Sequence, residues 1–193
     1  MTMIESTMLK LGTSAPDFNL PDVAAEISVE LNDFDGKKAL LVVFLSAHCP
    51  YVKHVAVELG KLTSEYMTDD VGVVGIGAND VKSYPEDSPK SLAKFAKKSG
   101  WQFPVLYDKS QETAKAYRAA CTPDFFLFDE YFKLAYRGQM DSSRPGNEEK
   151  NDGADLRKAL DIVLAGQVVT GEQIPSSGCN IKWVEGNEPE YFK

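Results

Sequence analysis

The chain has 193 residues, of which 43% are hydrophobic and 26% are charged, as in an ordinary soluble globular protein. Its formal net charge of −8 repels phosphate backbones and anionic lipid, so the composition argues against nucleic-acid binding and against binding to a membrane surface. The longest purely apolar run, residues 39–45, is too short to cross a membrane. Residues 1–6 show neither a basic start nor a following apolar stretch, so we expect no signal peptide and a cytoplasmic location.

The first third of the chain predicts an extended segment, a buried strand and a long helix. Residues 9–21 contain Pro16 and Pro21, which disfavour a helix, and residues 27–31 alternate like a short strand. Residues 39–45 are continuously apolar and rich in β-formers, which is typical of a strand buried on both faces. Pro50 suits the first position of a helix, and apolar residues at helical spacing extend that helix to about Tyr66.

The rest of the chain alternates between predicted strands and helices. The predicted strands are 71–76, 103–106, 125–128 and 133–136. The predicted helices are 91–99, 111–119 and 155–164. This order indicates an α/β domain with a mixed central sheet flanked by helices on both faces. We expect that domain to occupy residues 8–166, with a Gly-, Pro- and Ser-rich C-terminal tail, residues 167–193, packed on or near it.

Three cysteines, Cys49, Cys121 and Cys179, are too few and too far apart for the disulfide framework of a secreted protein. No two are separated by only two residues, and the chain has 2 histidines, so a structural zinc site is not expected. No organic or metal cofactor is implied. The cysteines are therefore either inert buried thiols or participants in redox chemistry.

Cys49 has the sequence context of a reactive thiol. It lies between the end of a predicted buried strand and the start of a predicted helix, where unpaired backbone N–H groups and the helix dipole stabilise a thiolate. Lys53, one turn along the helix, adds positive charge, and His48 or His54 could add more. The alternative is a small apolar residue packed under the helix, but the coincidence of these features favours chemistry.

Three segments carry a resemblance to a known family. They are Ala-Pro-Asp-Phe at 15–18, the strand running into His-Cys-Pro at 48–50, and Cys-Thr-Pro at 121–123. With them, residues 11–164 resemble the thioredoxin-like superfamily, most closely its alkyl hydroperoxide reductase/thiol-specific antioxidant, or peroxiredoxin-like, branch. The resemblance implies a thioredoxin fold with an N-terminal strand extension. It also implies that the bond between Thr122 and Pro123 is cis and that Pro123 packs against the reactive Cys49.

The chain departs from both mechanisms that this resemblance suggests. Thioredoxins carry Cys-x-x-Cys, and here Val52 replaces the second cysteine. Peroxiredoxins carry Pro-x-x-x-Thr/Ser-x-x-Cys; Ser46 fits the hydroxyl position, but Val42 occupies the proline position. Arg137 and Arg144 are the candidates for the arginine of a peroxide pocket.

The missing neighbour of Cys49 leaves two candidates for a resolving thiol. By analogy with the fold, Cys121 lies beside the helix start that carries Cys49, and it is the preferred candidate. Cys179, in the tail, either reaches Cys49 or fills a gap beside Trp183.

The preferred interpretation is a thiol-disulfide oxidoreductase with Cys49 as nucleophile and Cys121 as resolving thiol. The first alternative is a thiol peroxidase that acts through a Cys49 sulfenic acid, and the second is a non-catalytic peptide-binding module. The expected partners are a thioredoxin- or glutathione-type reductant and a disulfide or hydroperoxide substrate.

Overall fold

The computed structural model describes residues 3–67 and 70–192. The helices in these ranges are α1 (Pro50–Tyr66), α2 (Pro89–Ser99), α3 (Glu112–Ala116) and α4 (Ala154–Leu164). The strands up to the middle of the chain are β1 (Met3–Glu5), β2 (Asn19–Pro21), β3 (Ser28–Glu30), β4 (Ala39–Leu45) and β5 (Val71–Gly77). The later strands are β6 (Val105–Tyr107), β7 (Cys121–Thr122), β8 (Asp124–Asp129), β9 (Leu134–Gly138) and β10 (Ser177–Asn180).

The central sheet, within the described residues, has five strands in the order β6-β5-β4-β8-β9. Strand β4 pairs in parallel with β5 and antiparallel with β8, so the sheet is mixed. The parallel pairing of β5 with β6 and the antiparallel pairing of β8 with β9 complete it. This arrangement confirms the predicted thioredoxin fold.

The side chains on the two faces of β4 pack into two separate parts of the core. Leu41 and its odd-numbered neighbours pack with α1 and α4 on one face of the sheet. Leu40 and its even-numbered neighbours pack on the other face with Tyr117, which follows α3, and with Ile181 and Trp183 of the tail. The continuously apolar sequence of β4 follows from this burial on both faces.

The predicted elements match the structure closely, with one helix clearly shorter than expected. Helix α3 covers Glu112–Ala116 instead of 111–119, because Tyr117 ends it and Arg118 takes a positive φ of 52°. In the described part of the chain, no helix combines the length and apolar character that crossing a bilayer requires.

The two ends of the chain meet in a second, antiparallel sheet with the order β1-β10-β7. In its register Cys179 lies opposite Met3 on one side and opposite Thr122 on the other. Gly178 permits the close approach of β10, since a Cβ at this position would clash with the carbonyl oxygen of Thr122. The tail is therefore a structural partner of the strand that carries Cys121 and Thr122.

Candidate redox site

Cys49 lies at the junction of β4 and α1, where it is the N-cap residue of the helix. Its side chain is fully buried, with 0% exposure. The Cys49 thiol donates a hydrogen bond to the Thr122 carbonyl oxygen at 3.1 Å, and its backbone N–H donates to Ser46 Oγ at 3.2 Å. The peptide bond between Thr122 and Pro123 is cis. The sulfur is thus held between the helix start and the Thr122–Pro123 junction.

Cys179 lies directly beside Cys49 and is 3% exposed. Burial raises the pKa of Cys179 to about 12, and a side-chain hydrogen bond with Cys49 contributes to the increase, while the positive charge of Lys182 opposes it. Cys179 is therefore a protonated thiol at neutral pH. The thiols of Cys49 and Cys179 form a directly hydrogen-bonded pair.

Cys121 is also fully buried, but its sulfur contacts carbonyl groups. Its Sγ lies 3.5 Å from the carbonyl oxygen of Pro123 and 3.8 Å from that of Ser176. Burial, followed by the neighbouring Asp124, raises the pKa of Cys121 well above its ordinary value. In the described structure Cys179, not Cys121, is thus the thiol that hydrogen-bonds to Cys49. The sequence-based choice of Cys121 was made by analogy with the thioredoxin fold. That analogy did not include strand β10 of the tail, which carries Cys179.

A buried carboxyl group, Asp87, fixes the loop that leads to Cys49. Asp87 accepts hydrogen bonds from the backbone N–H groups of Ala47 at 2.7 Å and His48 at 3.2 Å. It also accepts from Ser46 Oγ at 3.0 Å and from Asn79 Nδ2 at 2.5 Å, and it pairs with His48 Nδ1 at 2.7 Å. Ser46 thus connects Asp87 to the backbone of Cys49. Sequence reasoning assigned Ser46 but missed Asp87, because nothing near Asp87 in the chain marks it.

Lys53 and His54 take no part in these contacts. Lys53 is exposed on α1, and His54 Nε2 lies 3.0 Å from Ser143 Oγ. The lysine whose charge acts on the buried thiol of Cys179 is Lys182. That lysine belongs to the tail, and the sequence offered no signal that it would reach the site.

The candidate residues for a peroxide pocket are engaged elsewhere. The Arg137 guanidinium donates to the carbonyl oxygen of Leu9 and to Gln173 Oε1, and that of Arg144 donates to two carbonyl oxygens of its own loop and to Gln139 Oε1. Among residues 3–67 and 70–192, neither guanidinium has a hydrogen bond to Cys49. Val42 lies in the middle of β4, where a proline could not donate to the ladder.

Asp124 is fully buried directly after Pro123. Burial raises the pKa of Asp124 to about 7, against the opposing effect of hydrogen bonds from the side chain of Ser6 and the backbone N–H groups of Ala120 and Cys121. A carboxyl group whose pKa is close to neutral pH therefore lies at the start of β8, directly after the Thr122–Pro123 junction.

Comparison with known proteins places these residues in a family context. The family model described as Redoxin matches residues 10–156. Thiol-disulfide oxidoreductase ResA of Halalkalibacterium halodurans is 28% identical over 130 residues, which cover 67% of this chain and 69% of that protein. A protein of Mycobacterium tuberculosis whose name assigns it provisionally to the peroxiredoxins is 30% identical over 117 residues, which cover 61% of this chain and 69% of that protein.

A solved structure is similar over nearly the whole chain. The crystal structure of an uncharacterised conserved protein from Geobacillus kaustophilus is 48% identical, has a TM-score of 0.92, and covers 95% of this chain and 97% of its own. Because so much of the chain is covered, the likeness extends past residue 166 into the tail.

Proposed function

The chain belongs to the Redoxin family, and from this premise we propose that it is a thiol-disulfide oxidoreductase with Cys49 as nucleophile and Cys179 as resolving thiol. The hydrogen-bonded pair of Cys49 and Cys179 is the observation that carries this proposal. Similarity to ResA, which is named as a thiol-disulfide oxidoreductase, supports the same reaction class.

The reaction proceeds by two exchanges of sulfur bonds. The Cys49 thiolate attacks a substrate disulfide R–S–S–R′, forms the mixed disulfide Cys49–S–S–R and releases R′–S⁻, which takes up a proton. The Cys179 sulfur then attacks the Cys49 sulfur, which forms the Cys49–Cys179 disulfide and releases R–SH with the proton that Cys179 carried. A thiol reductant of the thioredoxin or glutathione type returns the pair to its reduced form.

Peroxide reduction is the second candidate, favoured by the likeness to the mycobacterial peroxiredoxin-named protein. In that reaction Cys49 takes an oxygen atom from a hydroperoxide to become a sulfenic acid, and Cys179 condenses with it to give the same disulfide and water. The engagement of Arg137 and Arg144 away from Cys49 favours the disulfide substrate. A cytoplasmic location remains part of the proposal and is tested by fractionating cells that contain the full chain.

Disulfide mapping tests which thiol resolves Cys49. The reduced protein is oxidised with a small disulfide and digested without reduction, and the linked peptides are identified by mass. We expect a Cys49–Cys179 link in the wild-type protein and in Cys121→Ser, because the two sulfurs are already in contact. Cys179→Ser is expected to stop at a mixed disulfide on Cys49. A Cys49–Cys121 link in the wild-type protein would contradict the proposal and restore the sequence-based choice.

The two oxidants separate the two candidate reactions. Stopped-flow oxidation of the reduced protein is measured with a small disulfide and, separately, with hydrogen peroxide. Faster reaction of Cys49 with the disulfide than with peroxide, relative to a free thiol, is the expected result. Preferential reaction with peroxide would assign the chain to the peroxidases. Cys49→Ser provides the control, because it retains the other two thiols.

A further inference from the structure

Lys182 is a buried lysine three residues after Cys179, with 7% exposure. Its Nζ donates to the Asn180 carbonyl oxygen at 3.0 Å and to Asn180 Oδ1 at 2.5 Å. Both acceptors are neutral, and within the residues that the structure describes no carboxylate forms an ion pair with this ammonium group. A buried cation without a carboxylate partner is costly, so its position calls for an explanation.

The backbone of Lys182 is fixed from three directions. Its N–H donates to Asn79 Oδ1 at 2.8 Å, and its carbonyl oxygen accepts from the Asp80 N–H at 2.8 Å and from Gln111 Nε2 at 3.0 Å. Asn79 also donates to Asp87, which holds the loop before Cys49. The backbone of the lysine is thus held by the framework that positions the nucleophile.

Three ionisable groups act on the charge of Lys182: the thiols of Cys179 and Cys49 and the carboxyl group of Asp87. The Lys182 Nζ also lies over the ring of Tyr84, 5.7 Å from its centroid. Burial lowers the pKa of Lys182, and the two thiols and Asp87 oppose that effect. The charge of Lys182 in turn lowers the pKa of the Cys179 thiol, whereas burial and Cys49 raise it.

We propose that Lys182 is the counter-charge of the Cys179 thiolate that forms when Cys179 attacks the mixed disulfide on Cys49. This inference rests on the proposed function. In the resolving step the S–H bond of Cys179 breaks and a disulfide bond between Cys179 and Cys49 forms. The bond between Cys49 and the substrate sulfur breaks, and the substrate thiol leaves with the proton. The electron pair that attacks resides on the Cys179 sulfur, and the fixed ammonium group lowers the free energy of that charged state. Lys182 thus acts through Cys179, by stabilising the thiolate that attacks in the resolving step.

Two-phase reaction with Ellman's disulfide, 5,5′-dithiobis(2-nitrobenzoate), tests the assignment in a Cys121→Ser background. Attack by Cys49 releases the first thionitrobenzoate, and closure by Cys179 releases the second. We expect Lys182→Met to slow closure about tenfold throughout the range below the pKa of Cys179, because losing the counter-charge lowers the thiolate fraction by about one pKa unit. Lys182→Arg, which keeps the cation, is expected to retain the wild-type rate of closure. Lys109→Met removes an exposed lysine as the matched control.

The outcomes separate this inference from the proposed function. Absence of a second phase in the protein with Lys182 intact would remove Cys179 as the resolving thiol, which is a failure of the proposed function. A second phase whose rate is the same in Lys182→Met and Lys109→Met across the pH range measured would overturn the role of Lys182 alone. If Lys182→Met does not fold by circular dichroism, Lys182→Gln, which still hydrogen-bonds to Asn180, provides the same comparison.

Discussion

At the scale of single residues, the site contains more buried ionisable groups than its two thiols. Asp124 lies behind the Thr122–Pro123 junction, with a pKa raised to about 7 because it is buried. Lys182 follows Cys179 by three residues, with a pKa lowered because it is buried. Asp87 secures the loop between β4 and α1 through side-chain and backbone donors. Chemistry at Cys49 therefore occurs among groups whose charges depend on one another.

Asp124 gives the stability of the protein a defined dependence on pH. Its pKa is about 7 in the folded protein and near 3.8 in the unfolded chain, so the folded state binds more protons between these values. We expect the free energy of unfolding to fall as pH rises from about 4 to about 7, and to lose this contribution above that range. Urea unfolding at several pH values measures it.

Asp124→Asn should remove this dependence, because an amide stays neutral across the range. Relative to wild type, the variant should become progressively more stable as pH rises from about 4 to about 7. Asp35→Asn, at an exposed position, is the matched control and should leave the slope of wild type unchanged. Parallel pH profiles for wild type and Asp124→Asn would show that Asp124 does not titrate in this range.

At the scale of elements, strand β10 decides which thiols meet. It lies between β1 and β7, and its register sets Cys179 opposite Thr122, whose carbonyl oxygen accepts the Cys49 thiol hydrogen bond. Gly178 makes this possible by leaving room for the Thr122 carbonyl group. The contact between Cys179 and Cys49 therefore depends on a glycine adjacent to the cysteine.

Gly178→Ala should loosen β10 without altering either sulfur. The added Cβ would clash with backbone atoms of Thr122, which cannot yield as a side chain would, and we expect a stability loss of about 1–3 kcal/mol. Each 1.4 kcal/mol lost from docking of the strand raises its open population about tenfold. The alkylation rate of Cys179 in the native protein measures that population. Ser177→Ala, on the same strand, is the control, and equal rates in the two variants would contradict the role of Gly178.

The regular elements were predictable because the placement of their apolar residues follows from how each element is buried. The apolar run 39–45 and the helix from Pro50 to Tyr66 match β4 and α1, since burial on two faces and on one helical stripe leaves a clear pattern. Strands β1 and β10 were missed because they are short and, in β10, contain glycine and polar residues that are typical of loops. Their pairing is set by partners far away in the chain, which a local pattern does not record.

The same division applies to the site. Cys49, Ser46 and the Thr122–Pro123 junction follow from motifs with fixed spacing. Asp87 and Lys182 reach the site through long-range contacts, at separations of about forty and a hundred residues from Ser46 and Asn79, respectively. Residues of this kind become recognisable only once the sheet order is known.

At the scale of the whole molecule, we propose that residues 8–166 form the thioredoxin-like domain and that the tail, residues 167–193, completes it. Ile181 and Trp183 of the tail are buried in the core on the even-numbered face of β4. Cys179 is buried on the opposite face with residues of α1. The tail thus contributes to both parts of the core as well as to the redox pair.

A chain that ends at residue 166 should be less stable than the full chain. Burial of Ile181 and Trp183 contributes roughly 3–6 kcal/mol together, at 1.5–3 kcal/mol for each large side chain. Urea unfolding of the truncated chain measures the loss. In the full chain, Trp183→Ala tests the buried position and Val168→Ala, at an exposed tail position, is its control. Equal stability of the full and truncated chains would refute the proposed contribution of the tail.

The complete burial of Cys49 has a consequence for the turnover rate of the protein. A sulfur with no exposed surface does not meet a substrate in this closed arrangement, so each cycle requires the site to open first. The frequency of that opening is a ceiling on turnover, whatever the reactivity of the thiol.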